Sequence, residues 1–224
     1  MGDIHCHILP GVDDGAKDYD HSLELLNQEI ENENKYVVLT PHQSQDNITK
    51  ADLIKAFLEF KKNVDLDISL YLGAEVYYYD GLIEDLKKDR ILTLNNTKYV
   101  LIEFSTRVDT PISDIVYEIS LIGYVPIIAH IERYSYLKFE DICDIVKNGG
   151  LIQVNSSSFK NRLYKKLFKN LFKNHLVSFI ASDCHDANKR PCDFKEAKKY
   201  IMKKYKDQYK RLFEDLPEFV SQKA

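Results

Sequence analysis

Five of the seven histidines in this 224-residue chain, together with five acidic residues, stand where apolar β-like runs stop. Asp3-Ile-His5-Cys-His7 and Ala181-Ser-Asp183-Cys-His185 are the densest examples. Residues i and i+2 of a strand project to one face, so the spacing sends His5 out with His7, and Asp183 out with His185. Imidazoles mixed with carboxylates suit Mn, Fe or Zn better than Ca or Mg. The residue types therefore predict a multi-metal hydrolase site.

The apolar runs that must position these residues are residues 2–8, 36–40, 69–73, 99–103, 125–129, 151–155 and 177–181. Unbroken runs of this kind suit strands buried on both faces of a parallel sheet. Helix-period stretches fall between them, at about 18–33, 51–63, 80–89, 111–122, 139–148, 159–173 and 193–214. The first places Leu23, Leu26 and Ile30 on one stripe, and Gly149-Gly150 marks a helix stop before the sixth strand. Seven β-then-α units predict an α/β fold and favour a parallel barrel over an open sheet, which periodicity alone does not exclude.

In such a barrel the chemistry gathers at one rim. His5 and His7 lie in the first strand and His42 follows the second; Glu75 follows the third, Glu103 ends the fourth, His130 ends the fifth, and Asp183 and His185 end the seventh. C-terminal strand ends converge, so residues spread over about 180 positions are expected in one pocket. One strand-end His or Glu alone reads more simply as a cap or hydrogen-bonding residue, but the whole set does not.

Composition agrees with an enzyme of one domain, residues 1–224. Hydrophobic residues make up 44% and charged residues 29%, enough for a sizeable core. No apolar run approaches the roughly 18 residues that span a bilayer, and the N-terminus enters a ligand motif without a basic or apolar leader, so a cytoplasmic protein without membrane insertion is expected. Cys6, Cys143, Cys184 and Cys192 form no C-x-x-C pair and read as reduced thiols. A net charge of −4 argues against a nucleic-acid partner.

Six segments, Asp3 to Gly15, Thr40-Pro-His42, Gly73-Ala-Glu75, Leu101-Ile-Glu-Phe104, Ala129-His-Ile-Glu-Arg133 and Ala181-Ser-Asp-Cys-His185, resemble motifs of the polymerase and histidinol phosphatase (PHP) superfamily. Within it they are most similar to bacterial protein-tyrosine phosphatases encoded with capsule and exopolysaccharide genes, in order from Asp3 to about Pro217. The resemblance implies a distorted (β/α)7 TIM-like barrel holding three divalent metals, usually manganese, with Fe or Zn as alternatives. One metal would use His5, His7, Glu75 and Asp183. A second would share Glu75 and add Glu103 and His130; the third would use Asp14, His42 and His185. Asp13 rivals Asp14, since neighbouring aspartates cannot be ranked from sequence, and Asp3 reads as a partner orienting a histidine.

The chemistry expected of such a site is phosphomonoester hydrolysis by metal-activated water, with Arg133 and Arg190 forking onto phosphate oxygens. The resemblance implies a phosphotyrosine protein as substrate, the tail of a polysaccharide-assembly tyrosine kinase; a small metabolite such as histidinol phosphate, or a silent docking role, is the alternative. Cys184 to Arg190 also matches the bare C-x5-R spacing of cysteine-dependent phosphatases. That copy has no loop glycine, and alternation points Cys184 away from Asp183 and His185. Tyr77-Tyr-Tyr79 reads as barrel wall or pocket mouth, and basic residues 160–173, with Leu163, Leu167 and Leu171 at i+4 spacing, as an outer helix with a solvated lysine face. After His42 the family's further histidines or basic residues are replaced by Gln43-Ser44-Gln45, which bears on substrate affinity; Arg107 is a candidate second phosphate contact.

Overall fold

Each apolar run forms a strand in the computed structural model, which describes residues 1–44 and 48–221. The strands are β1 (Gly2–Cys6), β2 (Tyr36–Leu39), β3 (His42–Gln43), β4 (Ser69–Leu72), β5 (Glu75–Tyr77), β6 (Tyr99–Glu103), β7 (Val125–Ile128), β8 (Leu151–Asn155) and β9 (Val177–Ala181). β2 with β3, and β4 with β5, are single runs bent in the middle. Pro41, which has no N–H for a ladder, interrupts the first. Gly73 interrupts the second, where a Cβ would lie 2.5 Å from Leu94 Cδ2.

All pairings are parallel, in two sheets ordered β1-β2-β4 and β3-β5-β6-β7-β8-β9. The ring closes where the residues after β9 meet β1: Cys6 bridges Cys184, Asp183 N–H donates to His5 O (2.8 Å) and His7 N–H to Cys184 O (2.9 Å). No continuous ladder runs around it, so the seven-unit barrel is distorted rather than regular.

Helices α1 (Tyr19–Glu31), α2 (Lys50–Asn63), α3 (Leu82–Lys87), α4 (Ile112–Leu121), α5 (Phe139–Lys147), α6 (Lys165–Lys173), α7 (Lys195–Lys204), α8 (Lys206–Phe213) and α9 (Glu218–Ser221) complete the fold. Asp18 and Thr49 cap α1 and α2 by accepting from backbone N–H groups of the first turn. The main core fills the space between strands and helices. A second apolar cluster includes Ile4, Val38, Leu101, Ile127 and Ala181 from the strands and is completed by Phe219 of α9. Phe219 is fully buried against Tyr99, the first residue of β6, and Phe179, so α9 floors the barrel at the end opposite the strand C-termini.

Three expectations need correction. The buried stripe of α1 is Ser22, Leu25, Leu26 and Glu29, rotated from the predicted Leu23 and Ile30 because Glu29 engages a buried polar group, Asn34. The predicted helix over 159–173 starts only at Lys165, after two 3-10 turns; Leu163 is 84% exposed, and Phe168, Leu171 and Phe172 make the buried face. The predicted helix over 193–214 breaks at Tyr205 (φ −142°). The break turns Gln208 and Arg211 onto backbone carbonyls, Gln208 Nε2 donating to Phe172 O (2.8 Å), which also accepts from His175 N–H (3.2 Å), and Arg211 Nη2 to Val177 O (2.9 Å).

Candidate metal centre

β1 carries one residue more than its partner between matched positions: Asp3 faces Val37, yet Cys6 faces Leu39. This bulge lets Ile4 join the inner cluster while His5 and His7 both reach the pocket. Asp3 is thereby turned away from the imidazoles. Its carboxylate accepts backbone N–H groups of His5 (3.2 Å) and Ser182 (3.1 Å), so it braces the chain rather than orienting a histidine ring.

Glu75 is the hub. Its Oε1 lies 3.2 Å from His5 Nε2 and 3.0 Å from His130 Nε2, and its Oε2 lies 3.3 Å from His7 Nε2 and 3.1 Å from His42 Nδ1. Asp183 Oδ1 stands 3.5–3.6 Å from His5 Nε2, His7 Nε2 and His185 Nδ1. Glu103 Oε1 is 3.6 Å from His130 Nε2. Asp14 Oδ1 is 3.5 Å from the Nε2 atoms of both His42 and His185. All nine sequence-predicted ligands therefore meet. Three subsets bring candidate donor atoms within 4.8 Å of one another: His5, His7 and Glu75; His42, Glu75 and Glu103; and His7, Asp14, His42 and His185. His7, His42 and Glu75 each belong to two of these groups, and Asp183 and His130 stand outside all three.

Hydrogen bonds separate Asp13 from Asp14. Asp13 is spent inside the protein, accepting from His7 Nδ1 (2.7 Å), His42 N–H (3.0 Å) and Gly15 N–H (3.0 Å). Asp14 is 68% exposed, with its oxygen turned toward two imidazoles. Gly15 holds this turn because a Cβ there would lie 2.1 Å from His7 O.

A divalent cation fits these donors. Asp13 takes the Nδ1 proton of His7, and Asp183 O takes that of His185 (3.0 Å), which leaves Nε2 lone pairs facing inward. Among the described residues the buried His185 Nε2 makes no hydrogen bond, Asp14 Oδ1 standing 3.5 Å away, an arrangement that costs free energy unless something accepts its lone pair. His130 (φ 31°) and Asp183 (φ 55°) both adopt left-handed backbone, strain of the kind concentrated at functional sites. Since Asp183 lies beyond β9, it meets His185 through this turn and not through strand alternation.

The electrostatics point the same way. Burial disfavours the charged forms, but neighbouring carboxylates outweigh it and raise the pKa values of His5, His7 and His42. Burial likewise opposes ionisation of Glu75 and Asp13, yet the imidazoles hold Glu75 well below its usual value and Asp13 at about 2. Burial beside Glu75 pushes Glu103 up to about 7, while burial and the charge of His7 drop His185 to about 4. In the metal-free protein these shifts favour the protonated forms of His5, His7 and His42 beside the carboxylates. Groups with raised pKa stabilise below their unfolded value and lose that contribution as pH climbs through the folded one. The thermal midpoint of chelated protein is therefore expected to fall from pH 6.5 upward, Glu103 having acted in the same sense between 4.5 and 7. Midpoints recorded from pH 6 to 9, with and without Mn, check this; a rising metal-free curve contradicts it.

Arg133 Nη2 (2.7 Å) and Arg190 Nη2 (2.8 Å) both donate to Asp183 Oδ2, from the partly exposed mouth of the cluster. Asn155 Nδ2 reaches the same oxygen at 2.7 Å, and Gln153 Oε1 lies 3.2 Å from His5 Nδ1. Neither amide was anticipated, although Gln-x-Asn at period two inside an apolar strand is a legible signal. Cys184 is fully buried behind the wall, its Sγ 3.7 Å from Glu29 Oε1, so the C-x5-R spacing forms no phosphate cradle with the outlying Arg190. Gln43 faces away too, donating to Arg90 O (3.1 Å) and accepting from Leu92 N–H (2.9 Å); Ser44 borders a neighbouring cavity, and Gln45 lies outside the described residues. Tyr78 stacks on Phe104 and Tyr79 donates to Asp85, leaving Tyr77 as the exposed tyrosine of the three. Arg107 is exposed in its loop.

Comparison with known proteins agrees with this architecture. The chain is 34% identical to "Tyrosine-protein phosphatase CpsB" of Streptococcus agalactiae serotype V, over 95% of each chain. Its structure superposes with a TM-score of 0.85 at 31% identity, covering 92% of this chain and 87% of the other, on one from the study of YwqE from Bacillus subtilis and CpsB from Streptococcus pneumoniae, described as unique metal-dependent tyrosine phosphatases. A histidinol phosphate phosphatase from Lactococcus lactis shares the fold at 12% identity (TM-score 0.61, covering 90% and 92%). The family described as "Capsular polysaccharide synthesis, CpsB/CapC" matches residues 1–220, and the chain belongs to it.

Proposed function

We propose that this chain is a metal-dependent protein-tyrosine phosphatase, one domain that hydrolyses phosphotyrosine monoesters on a tyrosine kinase of polysaccharide assembly in the cytoplasm. The observation that carries this is the pair of guanidinium groups set on Asp183 at the mouth of a pocket lined by five imidazoles. His5, His7, Glu75 and Asp183 would hold one divalent ion, Glu75, Glu103 and His130 a second, and Asp14, His42 and His185 a third, with manganese the preferred metal and Fe or Zn alternatives. Such ions lower the pKa of a bound water from about 15.7 toward 7 and neutralise phosphoryl oxygens.

The remaining work falls to the protein. Asp13 and the carbonyl of Asp183 fix the tautomers of His7 and His185. Arg133 and Arg190 orient the phosphate, and their remaining N–H groups fork onto its oxygens. No cysteine takes part. The helices among the described residues include none long and apolar enough to cross a membrane.

The test is hydrolysis of a phosphotyrosine peptide and of histidinol phosphate after chelation, with Mn, Zn or Fe restored, beside Cys184→Ser. Metal-restored turnover favouring the peptide and retained by Cys184→Ser is expected. Chelator-resistant turnover lost with Cys184 overturns the mechanism, and preference for histidinol phosphate overturns the substrate.

A further inference from the structure

β8 supplies no ionisable group to the pocket, yet Gln153 and Asn155 lie fully buried against it. Gln153 Oε1 accepts from the backbone N–H of His130 at 2.6 Å and stands 3.2 Å from His5 Nδ1. Gln153 Nε2 donates to Asn155 Oδ1 at 2.8 Å, and Asn155 Nδ2 donates to Asp183 Oδ2 at 2.7 Å. A backbone N–H can only donate, so the atom facing His130 must be the carboxamide oxygen. That assignment leaves His5 Nδ1 one role, donation to the same oxygen, and the lone pair then sits on His5 Nε2. This Nε2 points at Glu75 Oε1 (3.2 Å) and Asp183 Oδ1 (3.5 Å).

We propose that Gln153 and Asn155 form a positioning relay that sets the tautomer of His5 and the rotamer of Asp183, and so prepares one cation site from both sides. The inference rests on the metal-dependent reading of this pocket. One carboxamide oxygen serves two histidines from different strands: it orients the ring of His5, and it pins the left-handed backbone of His130 (φ 31°, ψ 57°). Its own N–H, passed through Asn155, reaches the carboxylate that faces His5. Asn155 leaves Asp183 Oδ1 free by occupying Oδ2, the oxygen also held by the two arginines. Neither residue touches substrate or a reacting atom; both act through the ligands they hold. Partners of this kind typically govern metal affinity by about 10- to 100-fold.

The experiment is calorimetric Mn titration of the intact chelated protein, without substrate, for wild type, Gln153→Leu, Gln153→Glu and Asn155→Ala, with circular dichroism and thermal midpoints as fold controls. Wild type that binds no metal removes the underlying reading, and this inference with it. Wild type that binds, with Gln153→Leu weakening one site about 10- to 100-fold, supports the relay. Gln153→Glu keeps an acceptor for His5 and His130 but loses the N–H that holds Asn155 Oδ1, so it is expected to lose about tenfold, as is Asn155→Ala. Long-range ¹⁵N spectra of neutral His5 supply the readout that mere support of the fold would not move: the Nδ1–H tautomer in wild type and Gln153→Glu, and loss of that preference in Gln153→Leu. If Gln153→Leu fails to fold, Asn155→Ala and the wild-type spectrum decide. Unchanged affinity in folded Gln153→Leu or Asn155→Ala, or an Nε2–H tautomer in wild type, overturns the proposal.

Discussion

Replacing Glu75 by glutamine is expected to lower kcat/KM on a phosphotyrosine peptide by at least about 10³-fold, equivalent to about 4 kcal/mol of transition-state stabilisation. The change is nearly isosteric, so its effect is electrostatic. Glu75 stands within 3.3 Å of ring nitrogens on His5, His7, His42 and His130, more imidazoles than any other carboxylate of the cluster reaches. A neutral amide there can offer one oxygen but no charge, and its NH₂ faces nitrogens that must keep lone pairs for cations. Two sites are expected to weaken together, and calorimetric Mn titration should show the loss of more than one tight site. Circular dichroism and a thermal midpoint are needed beside the kinetics, because the protonated histidines of the chelated protein lose their balancing anion. Turnover within tenfold of wild type, at matched metal occupancy, would remove Glu75 from the centre of the mechanism.

The arginine pair should behave in the opposite way. Arg133→Ala and Arg190→Ala are each expected to raise KM and to lower kcat/KM by about 10- to 100-fold, the scale of one charge-assisted contact to phosphate. Together they are expected to cost about 10³-fold, more than the product of the single effects if in each single variant the remaining arginine shifts to cover the gap, since both donate to one oxygen of Asp183. Metal affinity should be unchanged or higher, because Asp183 Oδ2 is freed of two cationic donors and keeps Asn155. Lysine is not an adequate substitute, as it lacks the planar fork. Steady-state kinetics with parallel Mn titrations separate the outcomes; weakened metal binding with unchanged KM would make the arginines braces of Asp183 and not phosphate ligands.

Much of this site was legible because ligand chemistry uses few residue types, and those types stood at the ends of apolar runs. His42, Glu75, Glu103 and His130 could be placed by strand order alone, since a parallel barrel brings its strand ends to one rim. What escaped was set by backbone detail without a compositional mark. The extra residue in β1 between Asp3 and Cys6 turns Asp3 away from the rings that it was expected to orient. The left-handed turn at Asp183 brings it to His185 by a route that period two does not describe. Asp13 and Asp14 differ only in which hydrogen bonds the folded chain offers them. Gln153 and Asn155 were passed over because amides are rarely metal ligands, and their task is to aim ligands. The break at Tyr205 lets Gln208 and Arg211 reach carbonyls on α6 and β9, contacts invisible in helical periodicity.

The placement of Phe219 divides the barrel into two ends with separate duties. The residue that seals the floor comes after every strand in the chain, and without α9 the inner apolar surface would lie open at that end. Disturbing that plug should therefore tax stability and folding yield while leaving the geometry of the rim intact. Conversely, α9 lies on the face opposite the pocket, so a group fused at its end would leave the mouth clear.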